Sequence, residues 1–193
     1  ILAGDYLKQA SDSAKNIIGI GLLYRYGYFT QRITHQGEQQ CEYHAQKFSH
    51  LPLKAVRNEK GEWCKVSLTL PGRNLEAKIW RIDVGRVPLY LLDTDVESNS
   101  EEDRFISSRL YGGDSENRLK QEILLGMGGV KLIKELSLPV SLYHNNEGHA
   151  AFSSLERMKQ YLQTQKYTYA QAKELVRATT LFTTHTPVAA GHD

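Results

Sequence analysis

The chain has 193 residues, is 40% hydrophobic and 24% charged, and carries a formal net charge of +2. That length buries a sizeable core as one domain, with room for an appended subdomain. Its 24 basic and 22 acidic residues are interspersed without a basic stripe, which argues against a nucleic-acid partner. The longest apolar run, Ile17 to Leu23, falls far short of the ~18 residues that a bilayer span needs. No charged start, apolar stretch and small-residue cleavage site mark a secretory signal. The chain begins at Ile1 and stops at Asp193 directly after a polar motif, so it is expected to be a segment of a longer protein.

Leu2, Tyr6 and Ala10 recur at helical spacing and predict an opening helix. Asn16 to Tyr24 reads as a buried strand, continuous in apolar character as central parallel strands are. Gln31 to His50 is polar and irregular. Cys64, Val66, Leu68 and Leu70 then alternate with Lys65, Ser67 and Thr69, and Pro71-Gly72 makes a turn. Leu75, Ala77 and Ile79 keep one parity before Trp80, Ile82 and Val84 take the other, which predicts a β-bulge. With the return through Val87 to Leu92 this stretch, about 51–92, is expected to be an inserted antiparallel meander, a flap beside the main sheet.

Ser100 and Asp103 predict a capped helix reaching Leu110. After Tyr111-Gly-Gly-Asp114 a long helix places Leu119, Ile123, Met127, Val130 and Ile133 on one face. Gly126, Gly128 and Gly129 weaken it by about 1 kcal/mol each relative to alanine, and make sense if another backbone packs close there. Val140 to His144 reads as a strand, and Ala151, Phe152, Leu155, Met158 and Leu162 line the helix after it. Thr168-Tyr-Ala-Gln171 is a capping box, and Ala178 to Thr183 is another strand. Helices alternating with short apolar strands point to a doubly wound α/β fold. Cys41 and Cys64 have neither disulfide nor zinc spacing and read as free thiols of a reducing cytoplasm.

Two polar knots carry the chemistry, each where an apolar strand ends. In open α/β sheets that is where ligands bind, so two such knots on neighbouring strands predict one polar pocket. In His144-Asn-Asn-Glu147-Gly-His149 the histidines are five apart, unlike the i, i+4 pair of a helical zinc site, so no metal is expected. A strand-to-helix turn fits better, with Asn146 as N-cap, Glu147 in the first turn near the dipole's positive end, and His149 pointing into the crevice. Such a turn either only caps and packs, or offers donors and acceptors to sugar hydroxyls. Thr183-Thr-His185-Thr-Pro187 holds a histidine among hydroxyls, either a satisfied core residue or a site group held stiffly by the proline. Asp114 is either part of a turn or a carboxylate on a glycine hinge that gates a pocket. No serine elbow, Walker sequence or complete dinucleotide fingerprint occurs.

Further phrases join these knots: Ile1-Leu-Ala-Gly-Asp5, Leu23-Tyr-Arg-Tyr-Gly-Tyr-Phe-Thr-Gln31, Leu89-Tyr-Leu-Leu-Asp-Thr-Asp95 and Arg109-Leu-Tyr-Gly-Gly-Asp114. Arg118-Leu-Lys-Gln-Glu-Ile-Leu-Leu-Gly126, Asn146-Glu-Gly-His-Ala-Ala151 and Phe182-Thr-Thr-His-Thr-Pro187 follow. In this order the series resembles the N-terminal half of the α-glucan (glycogen, starch or maltodextrin) phosphorylases, of the compact bacterial type. Asn145 departs from the pattern, where a hydrophobic residue is common, as does Ala189, where proline is common.

The resemblance implies a GT-B glycosyltransferase architecture, with residues 1–193 forming part of its N-terminal, Rossmann-like, glucan-binding domain. It implies phosphorolysis: a terminal α-1,4-linked glucose passes to inorganic phosphate as α-glucose 1-phosphate. The cofactor implied is pyridoxal 5′-phosphate, attached in the full-length enzyme to a lysine outside these residues. By motif His185 matches the catalytic histidine whose imidazole and main-chain carbonyl contact the transferred glucosyl unit. Asn146, Glu147, His149 and Thr186 match substrate-binding positions, and Asp114 matches the acidic residue of a gating loop. The implied partners are maltodextrin and phosphate, with a homodimeric, cytoplasmic parent. The glycine-rich anion-binding loop of the family does not precede Ile1, so these 193 residues alone are expected to be inactive. A non-catalytic glucan-binding module of the same fold is the alternative, and a nucleotide-sugar GT-B transferase a third.

Overall fold

The structure, a computed structural model, describes residues 2–110, 112–164 and 166–185. Helix α1 (Leu2–Asp12) turns Ala10 and Ser11 inward. It lies over β1 (Gly19–Leu22), where a Cβ on Gly19 would sit 3.2 Å from Leu7. β1 is shorter than the run from Asn16 to Tyr24 because its ladder to β7 spans only four residues. It is parallel, as expected, but β7 is its one strand partner among the described residues, so it ends the sheet.

β2 (Thr30–Ile33) and β3 (Gln39–Glu42) form an antiparallel hairpin where the sequence reads as irregular. Nearly every residue in it is exposed, so no apolar alternation marks it. Its visible support is polar: Arg32 Nε lies 2.9 Å from the Glu42 carboxylate across the ladder.

β4 (Lys54–Ala55), β5 (Lys65–Leu70), β6 (Arg73–Val84) and β7 (Val87–Asp93) follow. β5, β6 and β7 make the expected meander, and β4 adds to β6 beyond the end of β5. Because β7 also pairs in parallel with β1, the meander is no flap beside the main sheet. It is the body of one five-stranded sheet. The expected bulge is absent, since β6 and β7 keep one register from Lys78↔Asp93 to Val84↔Val87. The parity change has another cause: both faces of β6 are covered. Leu75, Ala77 and Ile79 face the core. Trp80 faces away, packs edge-on against Trp63 with ring centroids 4.8 Å apart, and donates from Nε1 to the Asp93 carboxylate at 3.0 Å.

α2 (Glu101–Arg104) has the expected cap, the Ser100 hydroxyl accepting from Asp103 N–H, but it stops well before Leu110. The backbone there pairs instead with Tyr26, whose N–H donates to Ser108 O at 2.8 Å. α3 (Ser115–Ile123) runs through a π-helical turn, Leu124–Gly128, into α4 (Gly129–Glu135). This helix lies on the sheet, and Leu124 and Leu132 join Leu68, Leu75, Ile79 and Leu92 in the core. The wider turn shifts which residues face inward, so Leu119, placed on the buried face by periodicity, is 47% exposed. The glycines do meet close neighbours. A Cβ on Gly126 would lie 2.7 Å from Ser153 N, and one on Gly128 would lie 3.0 Å from Leu92.

β8 (Tyr143–Asn146) starts three residues later than its apolar run. One 3-10 turn, Gly148–Ala150, leads into α5 (Phe152–Thr164), then α6 (Tyr169–Ala178) and β9 (Thr180–Thr183). The capping box of α6 forms as expected between Thr168 and Gln171. β8 and β9 pair in parallel as a sheet of their own. α5 turns Ser153, Glu156 and Arg157 inward and leaves Leu155 and Leu162 exposed, the reverse of its apolar pattern. Its start packs against Gly126 of the π-helical turn, and polar bonds tie it to β8 and β9: Arg157 Nη1 donates to Thr180 Oγ1 at 2.7 Å, and Ser153 Oγ donates to Asn145 Oδ1 at 3.3 Å.

Candidate active site

Parallel pairing sets the site. Register runs from Tyr143↔Thr180 to Asn146↔Thr183, so both strands finish at the same level and the two polar knots meet. Glu147 N–H extends the ladder by one bond, donating to Thr183 O at 2.8 Å. The opposite end of the pair is pinned by Arg157. Its guanidinium lies over the Tyr143 ring at 3.8 Å and bonds Thr179 and Thr180. Burial pushes the Tyr143 phenol above its ordinary pKa, with the nearby Arg157 charge opposing.

At the site end, Asn146 does not cap the next helix. It closes β8, and its Oδ1 lies 3.1 Å from His185 Nε2. Glu147 does not lie beside the helix dipole either, because the chain turns there at φ +60°, ψ −168° and sends the side chain inward. Glu147 is 5% exposed. Its Oε1 accepts from His185 N–H at 2.7 Å and lies 3.4 Å from the ring Nδ1, while Oε2 accepts from Thr184 Oγ1 at 3.1 Å. Just outside, His144 Nε2 and Thr183 Oγ1 are 2.6 Å apart. The result is a histidine held through its backbone N–H, its ring between Glu147 and Asn146, with a second imidazole one layer away.

His149 faces the crevice, as its place in the turn suggests. It lines a cleft of about 520 Å³ with Tyr6, His144 and Asn146, and a smaller one of about 150 Å³ with Tyr24 and Glu122. Its Nδ1 lies 3.8 Å from Glu122 Oε1. Asp114 borders a different cleft, of about 640 Å³, with Tyr26, Tyr43, Arg109 and Lys120. There its carboxylate caps α3 by accepting from Asn117 N–H at 2.9 Å, after Gly113 at φ +85°. The structure therefore brings Asn146, Glu147 and His185 together, sets His149 beside them, and gives Asp114 a separate wall. Thr186 and Pro187 lie outside the described residues.

Sequence reasoning missed the grip of Glu147 on residues 184 and 185. A signal existed: an acidic side chain just before a glycine at a strand end, facing a second strand end of hydroxyls. Among the described residues no group of three His, Cys, Asp or Glu side chains is placed to hold a metal ion. None of their helices is long and apolar enough to cross a membrane.

No protein-family model matches the chain. Individual proteins do. It is 44% identical to the maltodextrin phosphorylase of Thermococcus litoralis over 100% of this chain and 23% of that protein. Against the glycogen phosphorylase of Mycobacterium tuberculosis the identity is 45%, again over 100% of this chain and 23% of the other. For the glycogen phosphorylase of Aquifex aeolicus it is 40% over 97% of this chain and 27% of that protein. The chain thus spans about a quarter of these relatives' length. Among solved structures, the catalytic domain of starch synthase IV from Arabidopsis thaliana, bound to ADP and acarbose, superposes with a TM-score of 0.50. That likeness covers 91% of this chain and 28% of the other at 13% identity, which speaks for a shared GT-B glycosyltransferase fold.

Proposed function

From its membership of the glycogen and maltodextrin phosphorylase family, which extends over the whole chain, we propose that these residues build the glucan-facing wall of an α-1,4-glucan phosphorylase. Residues 1–193 would be part of the N-terminal domain, with the β-rich stretch of about 51–92 forming the body of its five-stranded sheet. The reaction is transfer of a terminal glucose to inorganic phosphate, giving α-glucose 1-phosphate. The carrying observation is the register of β8 and β9, which sets His185 against Asn146 at the strand ends.

In this reading His185 is the catalytic residue. Its imidazole bonds a hydroxyl of the transferred glucosyl unit, and its main-chain carbonyl faces the positive charge that develops as the glycosidic bond breaks, an electrostatic contribution. Asn146 and His149 supply donors and acceptors to sugar hydroxyls along the crevice, and Thr186 would extend that wall. Asp114, at the head of α3 behind two glycines, is the gate-side carboxylate.

Pyridoxal 5′-phosphate, which supplies a phosphate group for proton exchange with substrate phosphate, would be held by a lysine elsewhere in the enzyme. Among the described residues no lysine lines either cleft beside His149. In this reading residues 1–193 do not hold the cofactor and do not turn over alone. The parent is proposed to be a cytoplasmic homodimer.

The test is phosphate-dependent release of glucose 1-phosphate from maltodextrin by the full-length parent, with and without the cofactor. Cofactor-dependent product that falls by roughly 10²-fold in His185→Ala is the expected result. A folded, cofactor-loaded parent that binds maltodextrin without making product would overturn it in favour of a binding module.

A further inference from the structure

We infer that Glu147 acts as the positioning residue for His185, and not as a contact to sugar. The inference rests on the proposed role of His185. Both oxygens of the Glu147 carboxylate are turned to protein: Oε1 to the backbone N–H and ring Nδ1 of His185, Oε2 to the hydroxyl of Thr184. A side chain only 5% exposed that borders neither cleft beside His149 is poorly placed to meet a glucan.

The position of this grip explains its use. β9 ends at Thr183, so residues 184 and 185 have left the ladder. A buried carboxylate replaces the missing ladder bonds with charge-assisted ones, roughly twice as strong as neutral bonds. The ring lies between that carboxylate, 3.4 Å from Nδ1, and Asn146 Oδ1, 3.1 Å from Nε2, so it is flanked on both sides.

The backbone is strained to match. At φ +60°, ψ −168° Glu147 occupies a region that is essentially glycine-only. Glycine is the very next residue, yet the strained position carries the carboxylate. Packing alone gives no reason for a charged side chain there. Orientation of His185 does.

The experiment uses the full-length parent with its cofactor, comparing wild type, His185→Ala, Glu147→Gln, Thr184→Val, and Glu147→Gln combined with His185→Ala. Glu147→Gln is expected to lower kcat by roughly 10- to 10²-fold, with the maltodextrin KM within about threefold of wild type. In the His185→Ala background the same change is expected to cost less than about threefold, since the residue acts only through the histidine. A raised KM at unchanged kcat, or a full-sized loss that persists without His185, would overturn the inference and make Glu147 a sugar contact.

Should Glu147→Gln fail to fold, Thr184→Val keeps the carboxylate and removes one of its bonds. It is expected to lower kcat by about threefold at constant KM, and a wild-type kcat would count against the inference. Amide hydrogen exchange gives a readout independent of turnover. The His185 N–H, which donates to Glu147 Oε1, should exchange at least about 10-fold faster in Glu147→Gln than in wild type, and unchanged exchange would count against the inference. An inactive wild type therefore sinks the phosphorylase reading alone, and the exchange rate still decides the role of Glu147.

Discussion

Replacing Gly126 with alanine tests how the helix below the sheet fixes the turn above it. A Cβ there would meet the backbone N of Ser153 at 2.7 Å and Phe152 Cβ at 2.9 Å, where ordinary contact begins at 3.4 Å. The start of α5 must then retreat by roughly 0.7 Å in a close-packed region. Overpacking of this size costs about 1–3 kcal/mol, of which alanine's helix preference returns at most about 1 kcal/mol. Because the clash is with a backbone atom, the upper end applies, and the expected net loss is about 2 kcal/mol, a fall of about 4–8 °C in Tm for a domain of this size. Because Ser153 bonds Asn145 in β8, the displacement also reaches the site turn, and turnover of the parent should fall together with stability. Gly4 is the control. It is exposed in α1 with nothing within 4 Å of its missing Cβ, so Gly4→Ala should stabilise by about 0.5–1 kcal/mol. Thermal melts of both variants decide the matter. A Gly126→Ala protein that melts at or above wild type refutes the close-approach argument.

The buried Asp103 makes stability depend on pH. Arg73 donates to it from Nε at 2.7 Å and Nη2 at 2.8 Å, and these bonds hold its carboxyl below the ordinary range against the opposing effect of burial. A depressed folded value means the stabilisation is complete above the unfolded carboxylate pKa, about 3.9, and is lost as pH falls through the lower folded value. Asp103→Asn should therefore cost about 2 kcal/mol near neutral pH, tempered by the half-exposed arginine, and the gap to wild type should close in acid urea melts. A gap that stays constant down to about pH 2 would contradict the pairing. The cysteines should separate by reactivity. Cys41 is exposed, whereas Cys64 is buried and burial raises its thiol pKa. A thiol reagent should label one cysteine per native chain and two after denaturation, and rapid native labelling of both would show that Cys64 is not in the core.

Local rules were legible wherever a local cause decides the outcome. The alternation over Cys64 to Leu70 became β5, the Ser100 and Thr168 caps formed, and Gly126 met a backbone as its presence in a helix implied. Errors arose where a tertiary partner decides. Leu155 and Leu162 advertise an apolar face, but α5 is held by Arg157 and Ser153 to polar atoms of β8 and β9, and no helical period encodes that. The parity change at Trp80 resembles a bulge on paper because nothing local shows that Phe48 and Trp63 cover the second face. The β2–β3 hairpin has almost no buried side and so leaves no pattern. At the site, the meeting of the two knots followed from strand logic. The inward turn of Glu147 did not, because its backbone conformation is one that sequence rules reserve for glycine.

The β8–β9 pair also has a bearing on the order of folding. Glu147 and His185 stand 38 residues apart, joined only through α5 and α6. Closing so long a loop is entropically slow, and nothing at either strand end repays it until the crossover has docked. The nascent chain can therefore assemble the meander well before the histidine has a carboxylate to lean on. The contact between Glu147 and His185 therefore forms last, and it distinguishes a finished chain from one that is merely collapsed.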